Sequence, residues 1–172
     1  ARCRGFAASR LVLLTEILIV VALTIVNGLL SMSELAVVSS RSARLKVLSD
    51  QGNKGAATAL RLAEDPGRFL STVQIGITLV GVLSGAFSGA TLGARLSEWL
   101  GTHGFSPSMS DTLGVGLVVL AITYLSLILG ELVPKQVALR DPERVAARVA
   151  PAMWLLSKIG APIVFLLDIS GK

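Results

Sequence analysis

The chain has 172 residues, 52% of them hydrophobic and only 16% charged, with a mean hydropathy of +0.73. That composition excludes an ordinary soluble domain and places the chain in the membrane class. A single cysteine, Cys3, and a single histidine, His103, leave no disulfide framework and no Cys- or His-rich metal cluster, and the net charge of +5 informs mainly through its distribution.

The first apolar run, LVLLTEILIVVALTIVNGLLSMS at residues 11–33, carries one charge, Glu16. It is too long for a cleaved signal peptide and lacks a small-x-small ending, so it predicts a membrane span. Residues 69–94 and 112–130 carry no charge at all. A crossing helix needs about 20 mostly apolar residues, and spans are expected over residues 11–38, 68–96 and 112–134. Between the first two, SARLKVLSDQGNKGAATALRLAED predicts two short amphipathic helices around the turn DQGNKG.

Two Asp-Pro pairs punctuate the chain, in EDPGRF at 64–69 and RDPERV at 140–145. Aspartate is a good N-cap and proline suits the first helical position, so each pair should open a helix. The first opens the second span. The second opens an amphipathic belt helix on the membrane surface, with Val145 and Val149 facing one way and Arg144 and Arg148 another. The final apolar run, AMWLLSKIGAPIVFLL at 152–167, is short, holds Lys158 and is interrupted by Gly160 and Pro162. It is expected to be a broken, interfacial or re-entrant element. With no repeat and no low-complexity tract, residues 1–172 are expected to form a single all-α transmembrane domain, in which 141–168 is the amphipathic and broken segment.

Six lysines and arginines fall in residues 41–68 and six more follow the third span, against Arg95 alone in the 95–111 loop and Arg2, Arg4 and Arg10 at the N-terminus. The positive-inside rule then expects the N-terminus outside and the C-terminus in the cytoplasm of a cell membrane. Along the second span Gly81, Gly85, Gly89 and Gly93 recur every fourth residue. Such a stripe permits close helix contact, within one subunit or at a dimer seam.

The segment LILGELVPKQ at 127–136 carries the candidate chemistry. Pro134 has no amide hydrogen, so the Gly130 carbonyl loses its helical partner, which is costly in lipid unless something else satisfies it. The neighbouring residue is Glu131, and a carbonyl beside a carboxylate suits a hard cation such as magnesium. The competing interpretation pairs Glu131 with Lys135 one turn on, with Pro134 merely ending the helix. The first span offers Asn27, Ser31 and Glu34 on one helical face, and Ser33 off it; the second span offers Gln74, Thr78 and Ser84. Together these define an oxygen-only pocket among three helices, although serines and threonines in such helices often bond to their own backbone. No catalytic residues are identified: the sole histidine lies in the loop THGFSP, and HExxH, GxSxG and P-loop motifs are absent from the sequence. The basic residues flank the spans, so nucleic-acid binding is not expected.

The segments SMSELAVVSSRSARL, FLSTVQIGITLVGVLSGAF and LGELVPKQVALRDPERVA, with the later PAMWLL and APIVFLL, resemble the membrane domain of the CorC/CNNM (cyclin M) family of magnesium transporters. The resemblance runs over residues 11–168, and GELVPK followed by the capped helix is its most specific part. It implies a homodimer of three-span subunits, each with a partial fourth element and a cytoplasmic belt helix. It also implies magnesium export coupled to sodium entry, with the ion held by Ser31, Ser33, Gly130 and Glu131; Ser84 is a further expected ligand in the second span. Asn27, Glu34, Gln74, Thr78, Pro134 and Lys135 would support the ion or line its path. Two features depart from the family pattern. Its usual cytosolic CBS pair is absent from this chain, which leads to the expectation of a further part beyond Lys172, and Ile77 and Gly81 stand where relatives often carry asparagines. A non-enzymatic magnesium transporter is thus the leading expectation. The alternative is a membrane-embedded regulatory or scaffold module whose glutamates are structural.

Overall fold

Helix α1 (Arg2–Ser39) contains the first span and ends just before two short helices, α2 (Ser42–Asp50) and α3 (Lys54–Glu64). The computed structural model describes the backbone of residues 2–170 and, apart from residues 2–9, 165, 167, 168 and 170, their side chains. Arg2, Cys3, Arg4 and Lys172 therefore lie outside the described side chains. Gly52, at φ 91°, takes the left-handed turn between α2 and α3, a conformation that favours glycine. Asn53 then caps α3 by accepting from the Ala56 amide at 3.1 Å.

The second crossing helix comprises α4 (Pro66–Ser88), a π turn at Gly89–Gly93 and α5 (Ala94–Thr102). The third comprises α6 (Pro107–Leu127), a π turn at Ile128–Leu132 and α7 (Val133–Arg140). Both expected aspartate caps form: Asp65 accepts from the Arg68 amide and Asp141 from the Arg144 amide, each at 3.4 Å. The three long apolar helices, Arg10–Ser39, Pro66–Thr102 and Pro107–Arg140, contain 30, 37 and 34 residues. At 1.5 Å per residue they reach about 45–55 Å, well beyond a hydrocarbon core of roughly 30 Å. Their outward leucines, isoleucines and valines are widely exposed, as residues facing lipid must be. No strand occurs among the described residues, and the fold is an all-α membrane protein.

The chain ends in one continuous helix, α8 (Pro142–Ser170), with Pro151 and Pro162 inside it. The expected break is not observed, because each proline removes a single backbone donor while neighbouring amides continue the ladder. The carbonyl that Pro151 deprives is that of Ala147, four residues earlier. Gly55 of α3 packs directly over that oxygen, where any side chain would collide. The buried face of α8 also differs from expectation. Arg144 and Arg148 are exposed as predicted, but Glu143, Ala146, Ala147 and Ala150 are the buried residues, with Val145 and Val149 only partly covered. These alanines face Ala56 and Ala59 of α3 within the main core, together with Leu30, Val37, Leu45, Leu62, Phe69 and Val73. Small residues on both helices allow close packing. Glu143 accepts the Arg41 amide at 3.4 Å and lies 3.8 Å from the Arg44 guanidinium, tying α8 to the start of α2.

The core thus sits at the basic end of the bundle, where α1, α3, α4, α7 and α8 meet. At the opposite end α5 packs on α6. Gly93 lies against Val115, and Gly89 against Val119. The glycine stripe is therefore divided: Gly89 and Gly93 are used within the subunit, while Gly81 and Gly85 face open space.

Candidate functional site

The α1 helix crosses the third span at two glycines. A Cβ at Gly28 would lie 3.0 Å from Pro134 Cγ and 3.3 Å from the Leu129 carbonyl, and one at Gly130 would lie 3.1 Å from Asn27 Nδ2. Their bare Cα atoms let the backbones approach. The backbone is wide here: the Val133 amide donates to the Ile128 carbonyl five residues back, and Pro134 has no hydrogen to offer. The Gly130 carbonyl, expected to be left for a cation, instead accepts from Asn27 Nδ2 at 3.3 Å. A carbonyl has two lone pairs, so one has been taken by the protein itself.

That bond fixes the asparagine. A carbonyl cannot donate, so Asn27 must turn its nitrogen toward Gly130 and its oxygen away. Asn27 Oδ1 is then buried with no partner, and so is Ser31 Oγ one turn further along the same face. Asn27 is 6% exposed and Ser31 fully buried. Buried polar atoms are nearly always satisfied, so these two oxygens on adjacent turns of one helix are the candidate positions for a bound partner. Ser33 is also fully buried, but its hydroxyl donates to the Leu29 carbonyl at 2.5 Å.

Glu131 lies inside the π turn directly after Gly130. Its carboxylate is 3.7 Å from Lys135 Nζ, with the two side chains 34% and 37% exposed. The competing ion pair is therefore formed, at a surface worth only about 0–1 kcal/mol. Glu34, one turn beyond Ser31, is half-buried.

The second span contributes less than its polar residues suggested. It runs antiparallel to α1, as two contacts show: Gly76 meets the Leu30 side chain, and Arg95 pairs with Glu16. Ser84 follows Gly76 by eight residues, about 12 Å along the helix, which puts it at the level of residues 22–24 of α1 rather than beside Ser31. Its Oγ is nevertheless buried and unpartnered. Gln74 and Thr78 are exposed on the far side of α4, in a groove shared with Ser71 and Val164. They are not brought to the serines. The inward face of α4 carries Val73, Gly76, Val80 and Ser84, and the helical period turns Gln74 and Thr78 away from it.

An ion pair not foreseen from sequence spans α1 and α5. Arg95 donates to both carboxylate oxygens of Glu16, at 2.8 and 3.2 Å. The second span is expected to stop at residue 96, beside the loop, but the helix continues to Thr102 and holds Arg95 against α1 with its side chain 36% exposed.

Three apolar crossing helices, with donor-free buried oxygens against a glycine–glutamate turn, define an all-α membrane protein with a polar site inside its bundle. The chain belongs to the CNNM family: residues 17–172 match the cyclin M transmembrane N-terminal domain. It is 48% identical over 155 residues to the UPF0053 protein sll0260 of Synechocystis, covering 90% of this chain and 35% of that protein. It is 33% identical over 156 residues to the polyamine export protein of Salmonella typhimurium, covering 91% and 35%. The Escherichia coli K12 polyamine export protein is 30% identical over 156 residues, with the same coverage. The chain thus spans about a third of the length of these relatives.

Proposed function

We propose that this chain is the membrane domain of a cation transporter whose cargo is Mg2+, bound at Asn27, Ser31, Gly130 and Glu131. The observation that carries it is the pair of buried, partnerless oxygens, Asn27 Oδ1 and Ser31 Oγ, the first on the side chain that bonds the Gly130 carbonyl and the second one turn further along α1. Mg2+ takes six oxygens and keeps several waters, needing only one or two carboxylates. Neutral oxygens with one carboxylate suit a partly hydrated ion, and the second lone pair of Gly130 remains open to it. Ser33 holds the turn below and Glu34 attracts cations toward it. Glu131 would exchange Lys135 for the ion. Export coupled to entering Na+, with the basic end facing the cytoplasm, completes the proposal. A homodimer closing on Gly81 and Gly85 and a cytosolic regulatory part following the chain belong to it as well.

The experiment is a Mg2+ titration of the purified domain read by thermal stability. Saturable stabilisation that Glu131→Gln abolishes supports the site; no stabilisation in the parent removes it and favours a scaffold role. A second cargo, a polyamine, is favoured by one observation beyond the relatives' names: Glu131 already holds a primary ammonium, that of Lys135. Spermidine in place of Mg2+ distinguishes the two. A polyamine site would be protected by spermidine and respond little to the metal.

A further inference from the structure

At the basic end, where α3, the start of α4 and the middle of α8 converge, lies a cavity of about 260 Å3. Its walls include Arg61, Asp65, Arg68, Trp154, Ser157 and Lys158. Lys158 Nζ sits 3.8 Å from the Trp154 ring centroid, a cation–π contact that holds both side chains at the rim. Asp65 is occupied as the cap of α4. None of Arg61, Arg68 or Lys158 is in an ion pair among the described residues. Three cations and one carboxylate leave the cavity with a net positive charge, to which the N-terminus of α4 adds its own partial charge.

The place of the cavity limits what could neutralise it. Arg68 stands in the first turn of the second crossing helix, which starts at Pro66. Lys158 and Trp154 lie where α8 passes from its alanine-packed segment into its apolar end. Tryptophan and basic residues at such a boundary sit at the level of lipid headgroups. At about 260 Å3 and open to the surface, the cavity has room for a headgroup phosphate.

We infer that this cavity binds the phosphate of an anionic phospholipid headgroup, with Arg61, Arg68 and Lys158 as its charge partners and the Ser157 hydroxyl as a further donor. Guanidinium forks match phosphate oxygens two at a time, and Lys158 contributes a point charge from the α8 side. The lipid would join α3, α4 and α8 across a seam that side chains alone leave open. This site is distinct from the proposed cargo site and does not depend on it.

The test uses the full chain in detergent, with retained lipid counted by native mass spectrometry. Phosphatidylglycerol is offered against phosphatidylcholine, and inorganic phosphate is offered alone in a third arm. The parent should retain one phosphatidylglycerol in preference to phosphatidylcholine. Arg61→Gln and Lys158→Gln should each lower that retention about fivefold, equivalent to about 1 kcal/mol per basic residue near an anionic surface. Arg148→Gln, an exposed change of equal charge on the same helix but outside the cavity, should leave retention unchanged. Equal losses in all three variants would reduce the effect to general surface charge and overturn the inference. So would parent-like retention in both cavity variants, or retention of inorganic phosphate with none of phosphatidylglycerol.

Discussion

Replacing Asn27 by alanine tests the proposed site with least ambiguity, because the structure predicts different effects in the presence and absence of the ion. Without cation, the substitution removes the 3.3 Å bond to the Gly130 carbonyl and leaves that oxygen without its donor. An unsatisfied buried group costs about 1–3 kcal/mol. The same substitution deletes Oδ1, already buried without a partner, and recovers a similar amount. The two effects offset, so Asn27→Ala should change ion-free stability by no more than about 1 kcal/mol. With cation the balance is different, since Oδ1 is then a ligand. Mg2+ at a hundred times its dissociation constant stabilises the parent by about 2.7 kcal/mol, which is about 5–10 °C in the midpoint for a chain of this size. A hundredfold loss of affinity would cut that to about 0.4 kcal/mol. Differential scanning fluorimetry in detergent, with and without Mg2+, reads both numbers. A large ion-free loss with an intact Mg2+ response would make Asn27 a packing residue and refute the reasoning.

Other consequences follow from particular contacts. A Cβ at Gly114 would lie 2.5 Å from the Ser97 amide nitrogen and 2.7 Å from its Cα; because backbone cannot step aside, Gly114→Ala should cost at least the 1–3 kcal/mol typical of overpacking. Gly116→Ala meets nothing within 4 Å and should be neutral or stabilising by up to about 1 kcal/mol; thermal midpoints compare the two. Arg95→Gln strands Glu16 among the helices. Breaking a fully buried pair costs about 3–5 kcal/mol, less here because the Arg95 side chain is 36% exposed, and the double variant with Glu16→Gln should recover most of the loss in a double-mutant cycle. For orientation, a cysteine at His103 in a chain lacking Cys3 should react with an impermeant thiol reagent from outside, and one at Ser49 should not; the reverse pattern inverts the proposed topology.

What could be read from residue order is what depends on neighbours in the chain. The apolar runs, the Asp-Pro caps and the turn at Gly52 are local, and each formed where its residues required. Helical spacing also puts Asn27 and Ser31 together, since four residues return to one face. The bond from Asn27 to Gly130 crosses 103 residues, and the pair of Glu16 and Arg95 crosses 79; nothing near either residue announces its partner. Gln74 and Thr78 lie apart from that face for a different reason. They were grouped with Ser84 by polarity, although the helical period that placed Asn27 with Ser31 sets them apart from the Val73, Val80 and Ser84 face. The continuity of α8 was obscured by Pro151 and Pro162, because a proline marks a lost hydrogen bond and not by itself a broken helix.

The polar residues on the inner side of α1 form an interrupted column rather than a single pocket. Glu16, Thr24, Asn27, Ser31 and Glu34 recur at helical spacing, with buried Val20 the apolar residue between the first two. Their states differ in order along the helix. Glu16 is neutralised by Arg95, and the Thr24 hydroxyl donates to the Val20 carbonyl at 2.9 Å. Asn27 and Ser31 then hold the oxygens without partners, and Glu34 carries a half-buried charge. Along α1 the partnerless oxygens thus lie toward the basic end, while Glu16 toward the other end is held in a bidentate ion pair. For a cation approaching from the basic end, favourable groups come first and the neutralised carboxylate last. An arginine beside that carboxylate repels any cation that has not displaced it. In the proposed cargo path the Glu16–Arg95 pair would therefore oppose passage at that end until it is broken.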